Sequence, residues 1–284
     1  MDLLIKGGTI VTANSSYVAD IGIENGIITQ IGGKLSALKA IDAAGMLIIP
    51  GGIDVHVHLQ RSDLLEIRNN DRNVDDYYSG TAAAAIGGIT TVGNMVAPEP
   101  SEPIGVLEML KRSEADALTN SVIDFTLHPM IYHPTPDAIA EIPALAAAGY
   151  TSIKIFTMFQ FDKRVKDFIR AIDSARSNNM ITMIHCEDQP INWFVAQDLI
   201  DQGKSDIRYY GQSRPDYAEA VATARAVAIG KATGASIYIV HVSSAAALEV
   251  ARQAANQGQN VYVETRPIYL HLTDKRYNLP DGAK

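Results

Sequence analysis

From Ile48 onward short apolar runs alternate with alanine-rich segments of helical period, and no other feature of the chain restricts its fold so strongly. The runs are IIPGGIDVHVH, TTVGNMV, VIDFTLHPMI, TSIKIF, ITMIHCE, SIYIVHVS and NVYVETRP. Between them the spacing predicts helices, among them Tyr77 to Ile86, Ile104 to Ala115, Pro136 to Ala148, Lys163 to Ser177 and Pro215 to Thr233. Strands separated by helices are joined by crossovers, which makes neighbours parallel, and runs apolar on both faces need cover on both sides. The pattern reads as α/β: a (β/α)8 TIM-type barrel first, a doubly wound open sheet second. A barrel alone takes about 250 residues. Residues 50–284 fall short of that and offer seven strand runs, so the expectation is an incomplete barrel lacking its last strand, with unpaired edges on the first and seventh.

Residues 1–49 follow another rule. LLIKGGTIV, ADIGIENGIITQIGG and KAIDAAGMLIIPG are short strand runs punctuated by Gly7-Gly8, Asn25-Gly26 and Gly32-Gly33, which reads as a small β domain, a partial sandwich. Two domains are therefore expected, 1–49 and 50–284.

Charge and composition exclude several partners. A formal charge of -8 and a pI near 5.3 argue against nucleic acid, whose binding needs a basic face. The longest uncharged stretch, Thr81 to Pro98, is interrupted by Gly87, Gly88, Thr90, Thr91, Gly93 and Asn94 and reads as helix, turn and strand, so no membrane partner is expected. The single Cys186 forms no internal disulfide, and MDLLIK lacks the layout of a secretory signal; a cytoplasmic location is the default.

Four of the seven histidines close apolar strands. His56 and His58 are two apart, so the strand period points both to one side. His185 and His241 follow ITMI and IYIV, which puts both at the C-terminal rim where barrels keep their chemistry. His185 or His241 taken singly is more often a satisfied core residue; the four together point to a metal site. Lys154 lies inside the apolar run SIKIF, where an unpaired ammonium is costly unless it snorkels to the rim. Beside two cations a neutral lysine can instead capture CO2 as a carbamate, turning the charge penalty into a gain.

GGIDVHVHLQ after a small β domain, the lysine in TSIKIF, and then HCED, IVHVSS and ETRPIYL resemble, in that order, the cyclic amidohydrolase family of dihydropyrimidinases and hydantoinases, with allantoinases and dihydroorotases as relatives. The resemblance covers essentially the whole chain. It implies two divalent metal ions, usually zinc. His56 and His58 would bind the more buried ion, carbamylated Lys154 would bridge both, and His185 and His241 would bind the more exposed one. A hydroxide shared by the metals would open a small cyclic amide or ureide, of dihydropyrimidine or hydantoin type, to an N-carbamoyl acid. The resemblance also implies homotetramers or dimers, and an aspartate at the end of an eighth strand that shuttles the proton. That aspartate would lie beyond Lys284, so no catalytic residue is assigned within the chain, and a complementing C-terminal polypeptide is an alternative partner. Loss of such a shuttle costs about 10²- to 10⁴-fold in rate.

Weaker substrate-binding candidates are Gln60 and Asn94 at strand ends, Phe159 and Arg266. Phe159 stands where the resemblance implies a tyrosine that hydrogen-bonds the reacting carbonyl, a role Tyr132, Tyr269 or an arginine could take over. Arg266 stands where the resemblance implies a small residue; it either recognises an acidic substituent or makes an outward salt bridge. His128, His133 and His271 stay unassigned, Glu187 and Asp188 are candidates for orienting His185, and Cys186 reads as packing. The competing readings are a non-catalytic assembly protein of the same fold and an inactive fragment or pseudoenzyme.

Overall fold

A computed structural model describes residues 1–61, 75–97, 104–159 and 161–280; Pro98, the end of the uncharged stretch, lies outside them. The chain divides into two compact units, Met1–Asp54 with Ala84–Thr91, and Val55–Ala83 with Val92–Lys284.

The first unit is β-rich. Strands β1 (Leu3–Lys6), β4 (Ile21–Glu24), β5 (Ile27–Ile31) and β6 (Lys39–Asp42) form a sheet in the order β5-β4-β1-β6, and β2 (Thr9–Val11), β3 (Ser16–Val18) and β7 (Leu47–Ile48) form a second in the order β3-β2-β7. β4 and β5 pair antiparallel across Asn25-Gly26, both with positive φ (53° and 76°), the two-residue turn whose twist suits a hairpin. Leu4, Ile10, Ile21 and Ala43 are buried, while Ile27, Ile28, Ile41, Leu47 and Ile49 are exposed.

β8 (Gly52–Val57) and β9 (Ile89–Val96) begin in the first unit and end in the second, where β10 (Asp124–Pro129) completes the sheet order β10-β9-β8. Gly93 in β9 permits a close approach, since a Cβ there would sit 2.6 Å from both Val55 O and His128 Nε2. β11 (Ser152–Phe156), β12 (Ile181–His185), β13 (Ile237–Ile239) and β14 (Val261–Val263) follow in that order, every neighbour parallel. A parallel bridge between Met130 and Lys154 connects β11 to the residue after β10. β8 and β14 stand at the outer positions of these two sheets.

Between the strands run α1 (Tyr77–Ile86), α2 (Val106–Asn120), α3 (Pro136–Ala147), α4 (Phe161–Ser177), α5 (Gln189–Asp201), α6 (Asp216–Thr233) and α7 (Ala245–Asn256). Local chemistry sets their ends. Thr135, Asp188 and Ser244 cap the starts of α3, α5 and α7 by accepting from the backbone N–H of Ala138, Ile191 and Ala247, and Gly234 ends α6 in the left-handed conformation. No helix among the described residues is long and apolar enough to cross a membrane.

The strand period of two sorts side chains between two cores. Ile153, Ile155, Ile184, Ile237 and Ile239 join the cluster containing Phe168 and Ile172 of α4, whereas Phe156, Met183 and Val240 join Met95 and Met130 in a smaller one. Lys154 shares the parity of Phe156, and its ammonium lies 5.3 Å from that ring's centre. The apolar runs predicted longer strands than form. β13 and β14 have three residues each, and His241, just past β13, takes a left-handed backbone (φ 39°) that ends the regular ladder.

Candidate metal centre

Strand parity delivers most of this site. His185 shares the parity of Met183 on β12, and Glu264 that of Tyr262, which pairs with Tyr238 on the neighbouring strand. His241 has the parity of Ile239, which packs with the helices, and its left-handed backbone turns the ring back toward His185 and His56. Ring centres lie 5.3 Å apart for His56 and His58, 5.5 Å for His56 and His241, and 4.7 Å for His185 and His241.

Each ring nitrogen that meets a carboxylate fixes what its partner nitrogen can do. His185 Nε2 is 3.0 Å from Glu187 Oε2, so a neutral ring donates there and keeps its lone pair on Nδ1. That Nδ1 faces His241 Nε2 at 3.0 Å. Two nitrogens on one tetrahedral zinc, each at 2.0–2.1 Å, lie roughly 3.4 Å apart, so this spacing is close to that of a shared ion. His56 Nδ1 lies 2.9 Å from Glu264 Oε1, which leaves Nε2 as its lone-pair nitrogen. Burial, reinforced by His185, Lys154 and His56, pushes the pKa of His241 down to about 2. His58 is more open to solvent, yet desolvation by the protein packed around it and the fields of His56, Lys154, Arg266 and His185 bring it to about 4. Both rings are neutral donors at pH 7.

Lys154 is 1% exposed, and its Nζ makes no hydrogen bond. Burial lowers its pKa to about 7 against the opposing pull of Glu264, so a substantial fraction of the amine is neutral near pH 7. An orphaned amine coupled to Glu264, together with facing histidine nitrogens, is the chemistry of a donor set for cations, and in this respect the residues fit a metal centre. Among the described residues, however, no group of three or more His, Cys, Asp or Glu side chains is arranged to hold one ion. The donors face one another and the two glutamates in pairs.

Sequence reasoning missed two members of this arrangement. Glu264 was legible in principle, because it too closes a strand; burial raises its pKa, but the hydrogen bonds from His56 and from the His241 N–H, with the nearby Lys154, outweigh it and hold the carboxyl low. Arg214, whose Nε lies 3.1 Å from Glu187 Oε1, comes from an irregular loop and carries no such signal.

The weaker candidates fare differently. Asn94 is buried; its Oδ1 accepts from Leu59 N at 2.7 Å, while Nδ2 donates to Leu59 O at 3.1 Å and to Tyr77 Oη at 2.8 Å. It braces the segment after β8. Gln60 is also buried, with its backbone N–H bonded to Asp75 O at 3.0 Å. Phe159 is exposed with φ 53° and meets Tyr132 and Phe156 edge-on at 5.4 and 5.6 Å, forming an aromatic wall that reaches His185 through Phe156 at 5.4 Å. Arg266 is exposed and stacks over Tyr269 at 5.5 Å. His128 is buried with Nδ1 2.5 Å from Ser152 Oγ, whereas His133 and His271 are exposed.

Residues 47–258 match the Amidohydrolase family, and the chain belongs to that family. It is 36% identical over its full length to a D-hydantoinase of Ralstonia pickettii and 35% identical to one of Geobacillus stearothermophilus, covering 62% and 60% of those proteins. A solved D-hydantoinase structure superposes with a TM-score of 0.91 at 36% identity, over 100% of this chain and 62% of that one. The dihydropyrimidinase of Brevibacillus agri gives 0.86 at 29% identity, over 99% and 61%. The chain thus spans about 60% of the length of the relatives it matches.

Proposed function

We propose that this chain carries the metal-binding part of a hydrolase that opens a cyclic amide or ureide ring of the dihydropyrimidine or hydantoin type. The observation that carries the reading is the buried Lys154 amine, which has no hydrogen-bond partner and lies electrostatically coupled to His58, His241 and Glu264. We infer a (β/α)8-type barrel for residues 50–284, contributing seven of its strands, beside a small β domain at 1–49. The site sits at the strand ends where such barrels keep their chemistry.

In this reading His56, His58, Lys154, His185 and His241 hold two divalent ions, zinc by family habit. When bound, the ions supply Lewis acidity and bring water toward a pKa near 7. The chain's own residues do the rest. Neutral Lys154 would add through its nitrogen to the carbon of CO2: the N–C bond forms as one C=O π bond opens onto oxygen and one N–H proton leaves to solvent, and the resulting carbamate would offer negative charge to the cations. Glu187 and Glu264 orient His185 and His56. The wall of Phe156, Phe159 and Tyr132 receives an apolar ring substituent. Phe159 gives the reacting carbonyl no hydrogen bond, so Tyr132, Tyr269 or Arg266 would have to supply one, at stake about 10²-fold in rate. The proposed setting is cytoplasmic, as a homo-oligomer.

A second reading, a non-catalytic assembly protein of the same fold, draws on the absence among the described residues of a ready-formed three-ligand cluster. Metal analysis separates the two, combined with a hydrolysis panel of dihydrouracil, hydantoin, allantoin and dihydroorotate. The hydrolase reading expects about two ions per chain, lost on mutating His58 or Lys154, and ring opening of at least one substrate. A metal-free, inert protein would favour the assembly role.

A further inference from the structure

We propose that Glu264 is a positioning residue of this centre, a single carboxylate that sets which nitrogen of His56 carries the lone pair and holds the turn presenting His241. The inference rests on the metal-site reading above and extends it to a side chain outside the ligand set. Oε1 of Glu264 takes part in two contacts, with His56 Nδ1 at 2.9 Å and with the backbone N–H of His241 at 3.0 Å. The first reaches from the end of β14 to the end of β8, and the second to the residue that follows β13 closely. A neutral imidazole can donate to a carboxylate through Nδ1 only if the lone pair resides on Nε2, so the contact selects one tautomer.

The second contact acts on backbone. His241 carries φ 39°, a conformation that residues with a Cβ rarely adopt and that persists where surrounding bonds over-determine it. Glu264 supplies such bonds with its main chain as well: its N–H donates to Ile239 O at 2.9 Å, and its carbonyl accepts from Val242 N at 2.6 Å. The turn carrying His241 is therefore gripped on both sides of the histidine. Oε2 of Glu264 is buried without a hydrogen-bond partner. A purely structural carboxylate would be expected to satisfy both oxygens, and this one keeps an oxygen unspent beside the histidines.

The test is long-range ¹H–¹⁵N correlation of the histidine rings at neutral pH without metal, with His56→Asn identifying the His56 signals. His56 is expected to show the Nδ1–H tautomer in the unaltered chain, to shift toward Nε2–H in Glu264→Ala, and to keep Nδ1–H in Glu264→Gln, whose amide oxygen still accepts. His185, held by Glu187, should not change. Cobalt(II) titration of the same proteins should show affinity falling about 10- to 100-fold in Glu264→Ala, with partial recovery in Glu264→Gln. If Glu264→Ala does not fold, Glu264→Asp, too short to reach His56, replaces it with the same expected tautomer change. An Nε2–H tautomer in the unaltered chain, or a His56 tautomer indifferent to residue 264, overturns the proposal. Failure of the unaltered chain to take up cobalt would instead defeat the metal-site reading, and the ring spectra would still judge the bond between Glu264 and His56.

Discussion

An ammonium on an apolar strand persists only when its charge is removed or matched, and Lys154 has no hydrogen bond to offset its burial. Replacing it with methionine keeps the stem and removes the buried polar head. Without metal, Lys154→Met is expected to melt at the same temperature as the unaltered chain or higher, by up to about 1–3 kcal/mol of stability, while metal uptake is abolished. A fall of several degrees in calorimetry would mean that the amine has a stabilising partner after all. Glu187 acts in the opposite sense. It bonds His185, Asn192 and Arg214, so Glu187→Ala should weaken zinc binding about 10- to 100-fold in competition with a chelating dye. At this scale the sequence shows that His56, His58 and His185 fall at strand ends, the first two on a period of two. It could not announce which way His241 points, since a left-handed backbone there overrides strand parity. Glu264 closes a strand and so offered a signal, but its partner His56 lies 208 positions away, and Arg214 comes from an irregular loop that carries no signal.

Helices were easier to foresee than strand lengths. The predicted span Tyr77 to Ile86 forms as read, and the span from Pro136 forms to Ala147, because alanine-rich periodicity and caps act locally. β13 and β14 stop after three residues although their apolar runs continue, since a ladder ends where its neighbour's backbone turns away, which no single run records. Two glycines test how elements are fitted. Gly234→Ala puts a Cβ at φ 70° in the stop signal of α6 and should cost about 1 kcal/mol in urea unfolding. Gly93→Ala should cost more, about 3 kcal/mol or above, because the added carbon meets the Val55 carbonyl, which is backbone and cannot swing aside. Equal costs at the two positions would contradict the close approach of β8 and β9.

For the molecule as a whole, the first unit leaves large apolar side chains in water: Ile27 at 66% exposed, Leu47 at 70% and Ile49 at 66%. Exposed apolar surface of this kind favours association. The chain is expected to bind an anilinonaphthalene dye in its native state and to sediment as larger species at higher concentration. A monomer that ignores the dye would show that this surface is covered. The α/β class and the family were readable because they rest on repeated local patterns, whereas the pairing of donors with glutamates required the assembled chain.

The contact between His56 and Glu264 joins positions 208 apart. Closing so long a loop costs entropy that native tertiary contacts must offset. On the metal-site reading, nascent chains still too short to include Glu264 would hold these histidines without the carboxylate that orients His56.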